Sequence, residues 1–308
     1  MLDAKQKSSH IRGMNKLPLE KRVQILSMLC EGSSMRAVSR VADVSINTVT
    51  KLLVNAGLVC ARFHDEAVRN VKARQIQCDE IWSFNYAKAR NVPTAKAAPV
   101  WAGSIWTWTA LDRDSKLIVS YLVGARDVEY AQEFMQDLSE RLVNRVQLTT
   151  DGHKAYLQAV DDAFGIDIDY AQLVKMYGEA PDTSPERKYS PAVCVGARKD
   201  EITGKPNKDQ VSTSHVERSN LSFRMHMKRY ARLTNAHSKK FENHCHMVAL
   251  YAVWYNFARI NSAIRMAPAM AAGISDRLWD MADIVKLIDA AAPKPGRRTP
   301  YKKRGANA

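Results

Sequence analysis

Along residues 17–58 apolar side chains recur at helical spacing. In LPLEKRVQILSMLCEG, Val23, Leu26, Leu29 and Cys30 form one stripe that stops at Gly32. Ser33 and Ser34 can cap a second helix, MRAVSRVA, and Ser45 a third, INTVTKLLVNA, with Val49, Leu52 and Leu53 facing inward. After a polar connector the period drops to two. ARQIQCDEIWSF predicts a first strand, and VWAGSIWTWTALDRDSKLIVSYLVG predicts two more joined at Asp112, Arg113 and Asp114. ARDVEYAQEFMQDLSERLVN reads as an amphipathic helix with Val128, Ala131, Phe134, Met135, Leu138 and Leu142 on one side, RVQLTTDG as a short strand, and HKAYLQAVDDAF as another helix. Three strands, helix, strand, helix is the order of an α/β sheet that begins as a meander.

Glycines and prolines interrupt residues 165–212, which predicts a fifth strand followed by an extended loop or hairpin insertion. From Ser214 the helical period returns and persists, with breaks near Ser238, to about Met266; ISDRLWDMADIVKLIDAAA is a final helix. The expected plan is a flexible N-terminus at 1–14, a helix-turn-helix domain at 15–60 and a connector at 61–72. A central α/β domain at 73–266, carrying the insertion at 165–212, then leads to a helical segment at 267–291 and a basic, disordered tail at 292–308.

Two details favour a helix-turn-helix over an ordinary three-helix bundle. Small Ser39 lies four residues before Asp43, where closely crossing helices leave no room for bulk, and Asp tolerates the left-handed backbone that such a turn needs. Ser45, Asn47, Thr50 and Lys51 would then face a DNA major groove, and residues 15–60 would bind duplex DNA by themselves.

Charge sharpens the picture. The 308 residues hold 46 Lys and Arg against 32 Asp and Glu, a formal +14 that points to a polyanionic partner. Seven cations and no acid lie between Arg218 and Lys240, and six more with no acid follow Ala292, leaving 33 basic against 32 acidic residues elsewhere. Five irregularly spaced cysteines spell neither a disulfide framework nor a zinc site, which fits a reducing cytoplasm. His244, Cys245 and His246 are poor joint metal ligands, because residues two apart on a helix diverge by about 200°. The sequence lacks a secretory apolar block and any run long enough to enter a membrane, so no membrane partner is expected.

Three acids stand out by position. Asp79 lies in the first strand, Asp151 ends the fourth just before Gly152, and Glu217 opens a helix whose next turns are basic. If the first and fourth strands are neighbours, the two aspartates lie side by side and a helix crossing the sheet end brings Glu217 to them. Converging carboxylates repel unless cations neutralise them, and hard oxygen ligands select Mg²⁺ or Mn²⁺. Two such ions would suit phosphodiester chemistry. Glu80 should point to the opposite face from Asp79 by strand alternation, and Asp112 and Asp114 read as turn residues. His153 and His215 lie near the expected site and could touch a phosphate, though packing or solvation is the favoured reading of each.

Cys78-Asp79-Glu80-Ile81-Trp82-Ser83, Thr150-Asp151-Gly152, and above all His215-Val216-Glu217-Arg218-Ser219-Asn220-Leu221-Ser222-Phe223-Arg224 resemble the DDE transposases of insertion sequence one and its relatives. Arg232-Leu233-Thr234 and Ser238-Lys239-Lys240-Phe241 continue the resemblance, which spans roughly Asp79 to Asn256. It implies a ribonuclease H-like mixed sheet with flanking helices, and Asp79, Asp151 and Glu217 as an acidic triad holding Mg²⁺ or Mn²⁺, two ions in all. It also implies a transposase that binds double-stranded DNA, both transposon ends and target, as a homo-oligomer. Arg218, Asn220, Arg224, Lys228, Arg232, Lys239 and Lys240 are the expected DNA contacts, with Arg224, Lys228 and Arg232 along one helix face beyond Glu217. The front end departs from the family pattern in having no Cys-rich zinc module, and His237 stands where an aromatic residue is usual. The competing readings are a DNA-binding regulator or domesticated transposase without catalysis, which need not keep all three acids, and a nuclease that cuts without strand transfer.

Overall fold

The computed structural model describes residues 16–178, 194–231 and 234–292. The expected flexible N-terminus, the basic tail beyond residue 292, the middle of the 165–212 insertion and Arg232 lie outside the described residues.

The chain opens with α1 (Leu19–Cys30), α2 (Met35–Val41) and α3 (Ile46–Ala67). The expected caps form: Ser34 Oγ accepts from the Ala37 amide at 3.1 Å and Ser45 Oγ from the Asn47 amide at 3.1 Å. Asp43 turns the chain at φ +48°, and Ser39 Oγ donates to the Val44 carbonyl at 2.6 Å, fixing the turn between α2 and α3. Helix α3 outruns its expected end at Ala56 by about three turns, so residues 61–67 of the expected connector are helical.

A six-stranded mixed sheet follows, in the order β3-β2-β1-β4-β5-β6. Strands β1 (Gln75–Asn85), β2 (Gly103–Asp112) and β3 (Ile118–Gly124) form the antiparallel meander. Asp112 accepts from the Asp114 and Ser115 amides at 3.2 and 3.1 Å, holding the β2–β3 turn as the sequence suggested. After α4 (Val128–Arg141), β4 (Gln147–Asp151) pairs parallel with β1; after α5 (Ala155–Phe164), β5 (Asp169–Tyr177) pairs parallel with β4, and β6 (Cys194–Thr203) closes the edge antiparallel to β5. The insertion is thus a β-hairpin in its described part.

The C-terminal helices are α6 (Ser214–His226), α7 (Phe241–Val253), the single turn α8 (Pro268–Ala271) and α9 (Met281–Ala291). The long helical stretch expected from Ser214 breaks at Met227, whose extended backbone stops α6 although no Gly or Pro is present. Burial explains it: Tyr230 Oη reaches Thr107 Oγ1 at 2.6 Å and His244 Nε2 at 2.9 Å, and Arg229 donates to Ser238 Oγ at 3.1 Å. Those contacts draw residues 228–230 into the core as a 3-10 turn, so Lys228 does not continue the face that carries Arg224.

One apolar core runs from α1 through the sheet to α9. Gly57 of α3 lies against His246 of α7 so closely that a Cβ there would meet His246 Cα at 2.4 Å. Arg22 of α1 grips Asp289 of α9 through two hydrogen bonds of 2.5 and 3.0 Å. Helices α1 and α3 therefore share their inner surface with the C-terminal helices. Among the described residues no single helix is long and apolar enough to cross a membrane.

Candidate active site

Strand β1 docks helix α6 through one face. Gln77 Oε1 accepts from the first free amides of α6, His215 at 2.9 Å and Val216 at 3.1 Å, supplying the cap that Thr213 does not. Two residues on and therefore on the same face, Asp79 Oδ2 accepts from Asn220 Nδ2 at 2.9 Å. Asn220, expected as a DNA contact, is instead buried and orients this carboxylate.

The β1–β4 ladder pairs Gln75–Gln77 with Gln147–Thr149 and stops there. Beyond it the register brings Asp79 level with Asp151, the last residue of β4. Carboxylate oxygens of Asp79, Glu80 and Asp151 all lie within 4.8 Å of one another. Glu80 was expected to point away. Its side chain leaves from the other face, toward Tyr156 of α5, yet a carboxylate oxygen still comes within 4.8 Å of those of Asp79 and Asp151, the last residue of β4.

Glu217 joins Asp79, Glu80 and Arg224 around a cleft of about 400 Å³. Its carboxylate is not within the 4.8 Å cluster: Lys175 of β5 and the Thr213 hydroxyl hold it to the side. Of the expected triad, then, the two aspartates are adjacent and Glu217 faces the same cleft on a lysine tether.

Burial and mutual repulsion mark the cluster electrostatically. Burial first, and the Asp151 charge second, lift the Asp79 carboxyl to about 6; the Asn220 hydrogen bond works against the rise. The same two causes lift Glu80 to about 7, opposed by Tyr156 and Arg126. Arg126, in the loop after β3, donates to Glu80 Oε2 at 3.0 Å and Asp151 Oδ2 at 3.3 Å, with its guanidinium 4.9 Å from the centre of the Trp106 ring. Asp151 Oδ1 accepts from the His153 amide at 2.9 Å.

The donor set fits a hard divalent cation: oxygen ligands only, crowded and partly desolvated, with a guanidinium bridging two of them. A cation bound there would polarise a phosphoryl oxygen and lower the pKa of a bound water. Sequence reasoning missed Glu80, Arg126, Gln77 and Lys175. Gln77 and Glu80 carried a signal, being within two residues of Asp79; Arg126 and Lys175 come from distant elements and carried none.

The remaining expected contacts fall in three groups. Ser45, Asn47 and Lys51 are exposed at the start of α3, and Thr50 Oγ1 is turned back onto the Ile46 carbonyl at 2.9 Å. Arg218, Lys228, Lys239 and Lys240 are exposed, whereas Arg224 is half-buried and donates to the Tyr230 carbonyl at 3.4 Å. His244 is buried between Ser238 and Tyr230 rather than poised for metal, and burial drives its imidazole down to about 3.

No protein-family model matches the chain, and no curated protein matches it in sequence. Among solved structures it is similar to a piggyBac transposase synaptic complex with hairpin DNA, at 9% identity and a TM-score of 0.41, over 91% of this chain and 73% of that one. It also matches a Mos1 transposase paired-end complex with left transposon end, at 12% identity and a TM-score of 0.22, over 51% of this chain and 59% of that one. A pre-cleavage Mos1 transpososome matches at 12% identity and a TM-score of 0.21, over 54% and 66% of the two chains. At these TM-scores the likeness assigns neither family nor activity.

Proposed function

We propose that the chain is a transposase with a ribonuclease H-like core, which binds transposon ends and, with Mg²⁺ or Mn²⁺, cleaves DNA strands and joins the freed 3′ hydroxyl to target DNA. The observation that carries this reading is the convergence of Asp79, Glu80 and Asp151 at one sheet end, in a cleft that Glu217 also lines. The insertion-sequence-one resemblance of the segments bearing Asp79, Asp151 and Glu217 supports it, as does the acid-free basic stretch after Glu217.

Asp79 and Asp151, with Glu217 once Lys175 releases it, are the proposed ligands for two ions; Glu80 borders them. Two-metal sites stabilise both the attacking and the leaving oxygen of an in-line displacement. The chain's own work is positional: Asn220 aims Asp79, Gln77 fixes the start of α6, and Arg126 balances charge between Glu80 and Asp151. No protein nucleophile is needed, so no Ser or Tyr is assigned. Ser45, Asn47, Thr50 and Lys51 on a helix-turn-helix are the proposed readers of the ends. Homo-oligomers would pair two ends.

The test is incubation with DNA carrying the inverted ends that flank the gene, with Mg²⁺, scored for nicked and joined products. Asp79→Asn, Asp151→Asn and Glu217→Gln should each abolish cleavage and leave end binding within about twofold, a difference under roughly 0.5 kcal/mol. Wild-type protein that binds the ends but neither nicks nor joins them would favour a DNA-binding regulator.

A further inference from the structure

Helix α6 has two polar faces. Glu217, Asn220, Leu221 and Arg224, spaced three, one and three apart, line the acidic cleft. His215, Ser219 and Ser222 with Arg218 repeat that spacing on a face centred about 160° away, and they line a second cleft of about 290 Å³. Lys116, from the β2–β3 turn, and Arg259, from the segment after α7, close its sides, and Ser262 stands exposed at its rim.

Cations are gathered here without an acid in the lining. Lys116 Nζ lies 3.3 Å from His215 Nδ1. Burial, and then the neighbouring Arg113, push the Lys116 ammonium below its ordinary range. The acid that acts most on Lys116, Asp114, is already held by Arg74 at 2.8 Å. Arg259 is braced against the Trp254 ring, 5.5 Å from its centre. Like charges crowded in a half-buried cleft raise the free energy of the empty site, and an anion relieves it.

We propose that this second cleft, lined by Lys116, His215, Arg218 and Arg259, binds the phosphodiester backbone of DNA on the side of α6 opposite the acids. The inference rests on the reading of the chain as a DNA-acting enzyme and adds a second phosphate site to it. A helix with its side chains is about 10–12 Å across, and a strand advances about 3.4 Å per nucleotide. One strand can therefore touch both clefts within a few nucleotides, with α6 as the spacer between the held phosphate and the acids.

The probe is a fluorescent duplex of arbitrary sequence, titrated with the full chain by anisotropy over a salt series. For the Lys116→Gln/Arg259→Gln double variant we expect weaker binding at every sequence, and a log affinity against log salt slope reduced by roughly 0.9 for each phosphate that the variant no longer neutralises. Ser262→Asp removes no packing, so it keeps the test open if the double variant fails to fold; it should weaken binding without lowering the melting temperature. Unchanged slope and affinity in these variants, with wild type still binding DNA, would overturn the second site and leave the proposed function standing. Wild type that binds no DNA would sink the function itself. If inorganic phosphate raises the melting temperature of wild type but not of the double variant, while the DNA slope is the same in both, the cleft serves a free anion and the proposal fails.

Discussion

Arg126 and Lys175 are the residues that make the crowding of the acids tolerable. Arg126 bridges Glu80 and Asp151, and Lys175 draws Glu217 aside, so positive charge already answers acids that a divalent ion would otherwise hold. The answer is partial, because Glu80 still titrates near 7 and Asp79 near 6. Both folded values lie above the ordinary carboxylate range, so the folded state binds more protons than the unfolded chain between about pH 4 and pH 7. Stability of the metal-free protein should fall as pH rises through that window. Glu80→Gln, which mimics the protonated acid, should raise the metal-free melting temperature at pH 8 by an amount worth on the order of 2 kcal/mol, with the gain gone by about pH 4.5. Thermal melts of both proteins at the two pH values check this; equal melting temperatures at pH 8 would remove Glu80 from the buried cluster. Alternation along β1 holds for Glu80 but hid it from sequence reasoning, because leaving from the opposite face does not keep its carboxylate away from Asp151 at the end of β4.

At the scale of elements, hydrophobic periodicity located each strand of the meander and the helices from α1 to α5, since each buries one regular face. It failed where tertiary packing overrode local preference. Helix α6 ends at His226 because Arg229 and Tyr230 are pulled into the core, and nothing in MHMKRYA signals that break. Helix α3 runs to Ala67 because Ala56, Gly57, Cys60 and His64 have a buried face to pack, which extends beyond the turn-helix unit visible in the sequence. Fragment 15–60 on its own would expose that face to water. Gly57→Ala tests the α3–α7 crossing: helix propensity alone would stabilise by about 1 kcal/mol, yet the added methyl meets the His246 backbone. We expect a net loss of about 1–3 kcal/mol, typical of an overpacked core, read as a lower denaturation midpoint at unchanged slope. A rise in the midpoint would mean the helices yield easily at that crossing.

For the molecule as a whole, the sheet acts as a frame that delivers distant residues to one end. The parallel β1–β4 pair sets Asp79 beside Asp151, and β5 adds Lys175. Helix α6, pinned by Gln77, then carries Glu217 to one cleft and Arg218 to the other. Asp151 and Glu217 were legible because a strand end before Gly152 and a helix start mark them, and Asp79 because of the motif around it within the first strand. The charges that restrain them come from elements whose approach only the folded chain decides. Catalysis of the proposed kind requires that the acids hold metal. The most direct measurement of that is anomalous diffraction from crystals of the full chain soaked in Mn²⁺ near neutral pH. A Mn²⁺ peak between the Asp79 and Asp151 carboxylates, with the Arg126 guanidinium moved off Asp151, is the predicted result; well-ordered crystals at saturating Mn²⁺ with no peak there, and Arg126 still bridging Glu80 and Asp151, would contradict it.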